Sequence, residues 1–129
     1  MVILCLRGKV FSGKGEGKKF IRLPWVKRQI REKLGFSPYL GTLNIRLDEE
    51  SVKLKQELTR TSGIEISPVP GHCRGKLFKA CLLNGTGCAV VIPEVSGYPE
   101  DFLEIIASTS LRQRLDLLDG DVVEIQIRI

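Results

Sequence analysis

The chain has 129 residues, 43% of them hydrophobic, which suffices for one compact core; a single domain spanning residues 1–129 is expected. A net charge of +5 indicates an anionic partner, while an aromatic content of 6% leaves few base-stacking platforms and argues against nucleic acid. No run approaches the roughly 18 to 20 apolar residues of a membrane-spanning helix, and Met1-Val2-Ile3-Leu4-Cys5-Leu6 reaches Arg7 too soon for a secretory signal, so a cytoplasmic protein without membrane partners is expected.

Residues 2–11 alternate imperfectly and read as a strand, ended by the glycine-rich Ser12-Gly13-Lys14-Gly15-Glu16-Gly17. Pro24 suits a first helical position, Val26, Ile30 and Leu34 recur at i, i+4 and i+8, and Gly35 supplies the stop, which predicts a short basic helix over 24–34. Trp25 reads as a packed cap. Residues 1–35 hold ten Lys or Arg against Glu16 and Glu32, a balance of +8 that leaves −3 for the rest, so the anionic partner belongs near this segment. A nucleotide's phosphates and a nucleic-acid backbone both satisfy that charge.

Short β-type runs follow at 42–47, 64–69, 76–83, 88–92 and 102–106, separated by Gly, Pro, Asn and Asp. Ser108-Thr109-Ser110 offers an N-cap for a helical turn or two through Leu111, Leu115 and Leu117. In 122–129 Val123, Ile125, Ile127 and Ile129 share one face and Glu124, Gln126 and Arg128 the other. At least six short strands with two brief helices favour a mainly β fold, a small closed six-stranded barrel, because closure removes unpaired edges. A barrel mouth is then the natural ligand site. Cys5, Cys73, Cys81 and Cys88 lack paired spacing and read as reduced, buried thiols; His72 reads as a loop histidine.

Three groups of residues have the types that phosphoryl chemistry needs. In the glycine run, backbone can approach a ligand closely and aim N–H groups at anionic oxygens between Lys14, Lys18 and Lys19. The run is neither a P-loop nor G-x-G-x-x-G. Thr42 and Asn44 of Gly41-Thr42-Leu43-Asn44 fall on one strand face, so two hard, neutral oxygens suited to Mg²⁺ can converge. Glu104, inside an apolar run, points either to solvent or into a polar pocket, and Arg112 is either a surface charge or a phosphate clamp.

In order along the chain, Ser12-Gly13-Lys14-Gly15-Glu16-Gly17, Leu34-Gly35-Phe36-Ser37-Pro38-Tyr39, Gly41-Thr42-Leu43-Asn44, Val91-Ile92-Pro93, Leu103-Glu104-Ile105-Ile106-Ala107, Leu111-Arg112 and Leu118-Asp119-Gly120-Asp121 resemble the archaeal CTP-dependent riboflavin kinases. The similarity spans nearly the whole chain and is loosest between about 48 and 86. The resemblance implies a cradle-loop β-barrel, with Lys14, Gly15, Glu16, Gly17, Lys18 and Lys19 wrapping the nucleotide and Thr109, Ser110, Leu111 and Arg112 as its second segment. It places Mg²⁺ on Thr42 and Asn44, and the flavin on Ser96 and Glu104, with Glu104 orienting the ribityl chain or accepting its proton. The expected partners are riboflavin and CTP, with no obligate protein partner. Some relatives bear an N-terminal winged-helix domain, whereas this chain is expected to start directly at the barrel. The competing readings are a basic nucleic-acid-binding barrel and a flavin-binding module without kinase activity.

Overall fold

The plainest alternation in the sequence, near its C-terminal end, forms the strand that closes the molecule: Val123, Ile125 and Ile127 are buried while Val122 and Arg128 are exposed. The computed structural model describes residues 2–13 and 16–129, Glu16 by its backbone alone. Among the described residues the elements run β1 (Ile3–Val10), α1 (Glu16–Ile21), α2 (Pro24–Leu34), β2 (Leu43–Leu47), α3 (Glu49–Arg60), β3 (Ile64–Ile66), β4 (Gly75–Leu82), β5 (Gly87–Pro93), β6 (Phe102–Ile106), α4 (Leu111–Arg114) and β7 (Val122–Arg128).

All strand pairs are antiparallel, in the order β3-β4-β5-β6-β2-β1-β7, and a further β4–β7 pairing shuts the ring. One edge of β4 serves two partners: Gly75 and Leu77 pair with β3, whereas Ala80, Cys81 and Leu82 pair with β7. The barrel therefore has six strands, as expected, and β3 is a short addition to it. Its interior is filled by the inward residues of every barrel strand, among them Leu6, Ile45, Phe78, Val90, Ile105 and Ile125.

A second apolar cluster lies outside the barrel. Phe20 and Ile21 of α1 and Val26 and Ile30 of α2 cover the outward residues Leu77, Ala89, Val91 and Ile106. The predicted helix over 24–34 forms with Pro24 in its first turn, and Gly35 ends it in the left-handed region at φ 82°, its N–H donating to Arg31 O. Trp25 packs edge-on against the rings of Phe20 and His72.

Four helices form among the described residues, where two were expected. One of them, α1, begins at Glu16, inside the run read as a loop. The other, α3, escapes a hydrophobic-period reading because two of its three buried residues, Ser51 and Lys55, are polar; the signal that marks it is Asp48, an N-cap accepting from Ser51 N at 2.8 Å. The strand expected over 64–69 stops at Ile66, ahead of Pro68 and Pro70, which have no N–H for the ladder. Of the four free thiols only Cys88 is buried, and burial pushes it up to about 12; Cys5 is exposed, and Cys73 and Cys81 are half-buried.

Lys55 is 5% exposed, and burial pushes its ammonium down to about 8, against partial opposition from Asp101, Glu100 and Glu104. The unfolded chain holds that proton more tightly, so Lys55 lowers stability at neutral pH and its contribution rises as pH climbs from about 8 to 10.5. In urea unfolding compared between about pH 7 and pH 10, the wild type is expected to gain roughly 2 kcal/mol on Lys55→Met, with hydration of the partly open site discounted from the full shift. A difference that does not vary with pH would show that the ammonium is not desolvated.

Candidate active site

Asn44 and Glu104 are direct partners in the β2–β6 ladder. Their neighbours Leu43, Ile45, Leu103 and Ile105 fill the barrel interior, so both polar side chains point to the outer wall. The site is therefore on the barrel's flank under α1, and not in its mouth as expected. There Asn44 is 8% exposed and Glu104 only 1%, which resolves the two readings of Glu104 in favour of a polar pocket.

A buried carboxylate needs donors, and three segments supply them. Gly17 N, in the first turn of α1, donates to Glu104 Oε2 at 2.6 Å, and Tyr98 Oη, from the loop before β6, donates to the same oxygen at 2.7 Å. Thr42 Oγ1, at the entrance to β2, lies 3.1 Å from Glu104 Oε1 and 2.9 Å from Asn44 Oδ1. Gly17 cannot be replaced without movement, because a Cβ there would run into the Glu104 carboxylate.

Thr42 has one hydroxyl proton and two acceptors facing it, so three oxygens share a single donor hydrogen at this point. Such a set lacks positive charge. It fits a hard divalent cation, for which oxygens of this kind are the preferred donors. Thr42 and Asn44 are the residues that would hold it, with Glu104 beside them.

The other flank of the glycine run is also anchored. Ser12 Oγ donates to both oxygens of Asp119 at 3.0 and 3.1 Å, and Arg112 Nη2 donates to Asp119 Oδ1 at 2.6 Å. The Arg112 hydrogen bond, and after it that of Ser12, holds the Asp119 carboxyl below the usual carboxylate range. Thr109, Ser110, Leu111 and Arg112 line one small crevice with Thr42, and Ser110 caps α4 by accepting from Gln113 N, as its spacing predicts.

The structure thus brings together Gly17, Thr42, Asn44, Glu104 and the segment 109–112. Lys18 and Lys19 are exposed on α1. Ser96 is exposed on the loop between β5 and β6, two residues before Tyr98. Lys14, Gly15 and the side chain of Glu16 lie outside the described residues. Sequence reasoning missed Tyr98, Ser12 and Asp119; a Gly-Tyr-Pro loop carries no local sign that its hydroxyl reaches a strand carboxylate, and Asp119 reads only as the close of a turn.

A family model named CTP-dep_RFKase, with the description "Domain of unknown function DUF120", matches residues 10–127. A riboflavin kinase of Archaeoglobus fulgidus is 42% identical over 126 residues, covering 95% of this chain and 54% of the relative. One of Pyrobaculum aerophilum is 46% identical over 129 residues, covering 95% and 60%, and one of Ignicoccus hospitalis 38% identical over 129 residues, covering 96% and 71%. The chain spans little more than half the length of several of these curated relatives. No helix among the described residues is long and apolar enough to cross a membrane. With the match running over nearly its whole length, the chain belongs to the archaeal CTP-dependent riboflavin kinase family.

Proposed function

We propose that residues 1–129 form one kinase domain that moves the γ-phosphoryl group of a nucleoside triphosphate, CTP on the strength of the family's name, to the 5′-hydroxyl of riboflavin, giving FMN. The terminal P–O bond to the leaving diphosphate breaks, a P–O bond to the flavin oxygen forms, and the hydroxyl proton is released. The observation that carries the reading is the proton-poor cluster of Thr42, Asn44 and Glu104 oxygens directly beneath Gly17 of the glycine run. A flavin-binding module without transfer has no use for it.

Phosphoryl transfer asks mainly for positioning and charge compensation. Mg²⁺ held by Thr42 and Asn44 supplies charge neutralisation of the phosphate oxygens. Glu104 accepts two hydrogen bonds at Oε2 and at most a share of the Thr42 proton at Oε1, which leaves an acceptor site on Oε1 for the incoming hydroxyl. Its role is to orient that hydroxyl, and Ser96, exposed two residues before Tyr98, is the flavin contact that the family resemblance implies. The lysines at 14, 18 and 19, with Gly15, Glu16 and Gly17, wrap the triphosphate. Arg112, tied to Asp119, exchanges that partner for phosphate; an exposed ion pair is cheaply given up. Both substrates are small molecules, and the enzyme works in the cytoplasm.

The direct test incubates pure protein with riboflavin, Mg²⁺ and each of the four nucleoside triphosphates in turn. FMN is expected with CTP, and its absence with every nucleotide overturns the reading. Thr42→Val and Asn44→Ala are each expected to lower kcat/KM by about a hundredfold with the fold retained, and to raise the Mg²⁺ needed for half-maximal rate. Full activity in both variants removes the metal assignment. Glu104→Gln keeps the shape and one acceptor; a rate within roughly tenfold of wild type fits orientation, whereas a loss on the order of a thousandfold assigns proton acceptance. Gly17→Ala pushes the carboxylate aside and is expected to lower both stability, by roughly 1–3 kcal/mol, and kcat/KM; an unchanged unfolding midpoint would show that α1 does not rest on Glu104.

A further inference from the structure

Lys55 stands out among the buried residues because the groups its ammonium bonds are two carbonyls, beneath a ring, while the carboxylates of Asp101, Glu100 and Glu104 act on it only through space. Its Nζ donates to Phe102 O at 2.7 Å and to Pro99 O at 3.1 Å, and it sits 4.9 Å from the centroid of the Tyr98 ring. Tyr98 in turn donates to Glu104 Oε2 at 2.7 Å. Phe102 opens β6 two residues before Glu104. One ammonium on α3 therefore reaches the same carboxylate by two routes, through the ring whose hydroxyl caps it and through the strand start that carries it.

Packing alone does not ask for this arrangement. Taking an ammonium out of water is costly, and a methionine or leucine would fill the same position on α3 without that cost. What an apolar residue cannot do is donate to Phe102 O and Pro99 O while drawing the face of Tyr98 toward itself. The geometry points to Lys55 as a positioning residue for the Glu104 carboxylate and, through Tyr98, for the acceptor side of the site. This rests on the reading of Glu104 as the group that orients the flavin hydroxyl. The carbonyls and the ring belong to the segment 98–102, and the hydrogen bonds of Lys55 go to that segment and not to Ser12, Arg112 or Asp119, so Lys55 acts first on the acceptor side; Gly17, which donates to the same Glu104 oxygen as Tyr98, ties the nucleotide run to it only at second hand.

The test compares Lys55→Met, which keeps the stem and loses charge and donors, with Lys55→Arg, which keeps both. A cavity of about 350 Å³ bordered by Val52, Lys55, Ile92 and Tyr98 leaves room for the guanidinium. The first readout needs no turnover. In ¹³C NMR of the side-chain carboxyls, the Glu104 signal, assigned by its loss in Glu104→Gln, is expected to move by more than its line width in Lys55→Met and to return in Lys55→Arg, while that of Asp119 stays. An unmoved Glu104 signal overturns the proposal, and so does an equal displacement at Asp119, which reports general loosening. The second readout is kinetic: Lys55→Met is expected to raise the riboflavin KM about tenfold with the CTP KM within roughly twofold, and equal losses for both substrates overturn the proposal. Should Lys55→Met not fold, Lys55→Gln, whose amide keeps two donors without the charge, is read by the same two measurements with the same decisive outcomes. Wild-type protein that makes no FMN defeats the kinase reading and leaves the carboxyl spectrum to decide the role of Lys55.

Discussion

The molecule is organised around one buried carboxylate. A charge brought into the interior without partners costs several kcal/mol even after relaxation, and Glu104 is 1% exposed. It is tolerable because three donors meet it: an amide of α1, a hydroxyl from the β2 entrance and a phenol from the loop before β6. Hydrogen bonds to a charged group are each worth roughly 1.5–3 kcal/mol, so the set offsets the burial and at the same time pins three otherwise independent segments to one point. Two carboxylates thus hold the residues on either side of the glycine run: Ser12 rests on Asp119 and Gly17 on Glu104.

The barrel supplies the rigidity that this arrangement needs. Ladder pairing puts Asn44 opposite Glu104 and leaves no freedom to slip, since a shift of one residue would turn Leu43, Ile45, Leu103 and Ile105 out of the core. The closing contact between β4 and β7 removes the free edges. Loops and short helices then bring their groups to the fixed wall, so the site combines strand-held acceptors with donors carried by more mobile elements.

Much of this was legible in the sequence, and the parts that were not share a cause. Period-two alternation gives the barrel strands and puts Thr42 and Asn44 on one side, because strand geometry is local. Pro24, the 26–30–34 spacing and Gly35 give α2 for the same reason. What local pattern cannot reveal is which side of a strand ends up covered. Alternation shows that Asn44 and Glu104 face away from the core; only the packing of α1, whose amide comes from 87 positions earlier than Glu104, turns that outer wall into an interior. Tyr98 and Lys55 are invisible for a like reason, since their contacts join a loop and a helix that the strand pattern does not connect.

Most of the residues that break the local rules hold the site; Ser51, which accepts from Arg7 N, ties α3 to β1 instead. A strand wall under two helices would ordinarily be apolar, and Val91 and Ile106 obey; Asn44 and Glu104, on the same wall, do not. The buried stripe of α3 would ordinarily be Leu or Val, yet it carries Ser51 and Lys55. Each exception lowers stability unless its polar atoms are paired, and among the described residues no buried side-chain nitrogen or oxygen lacks a partner. A core that only had to fold would be more stable with aliphatic residues at these positions. That the chain keeps paired polar groups there, Asn44 and Glu104 in one oxygen cluster beside Gly17 and Lys55 on the strand start that carries Glu104, is the physical sign that stability has been traded for a site.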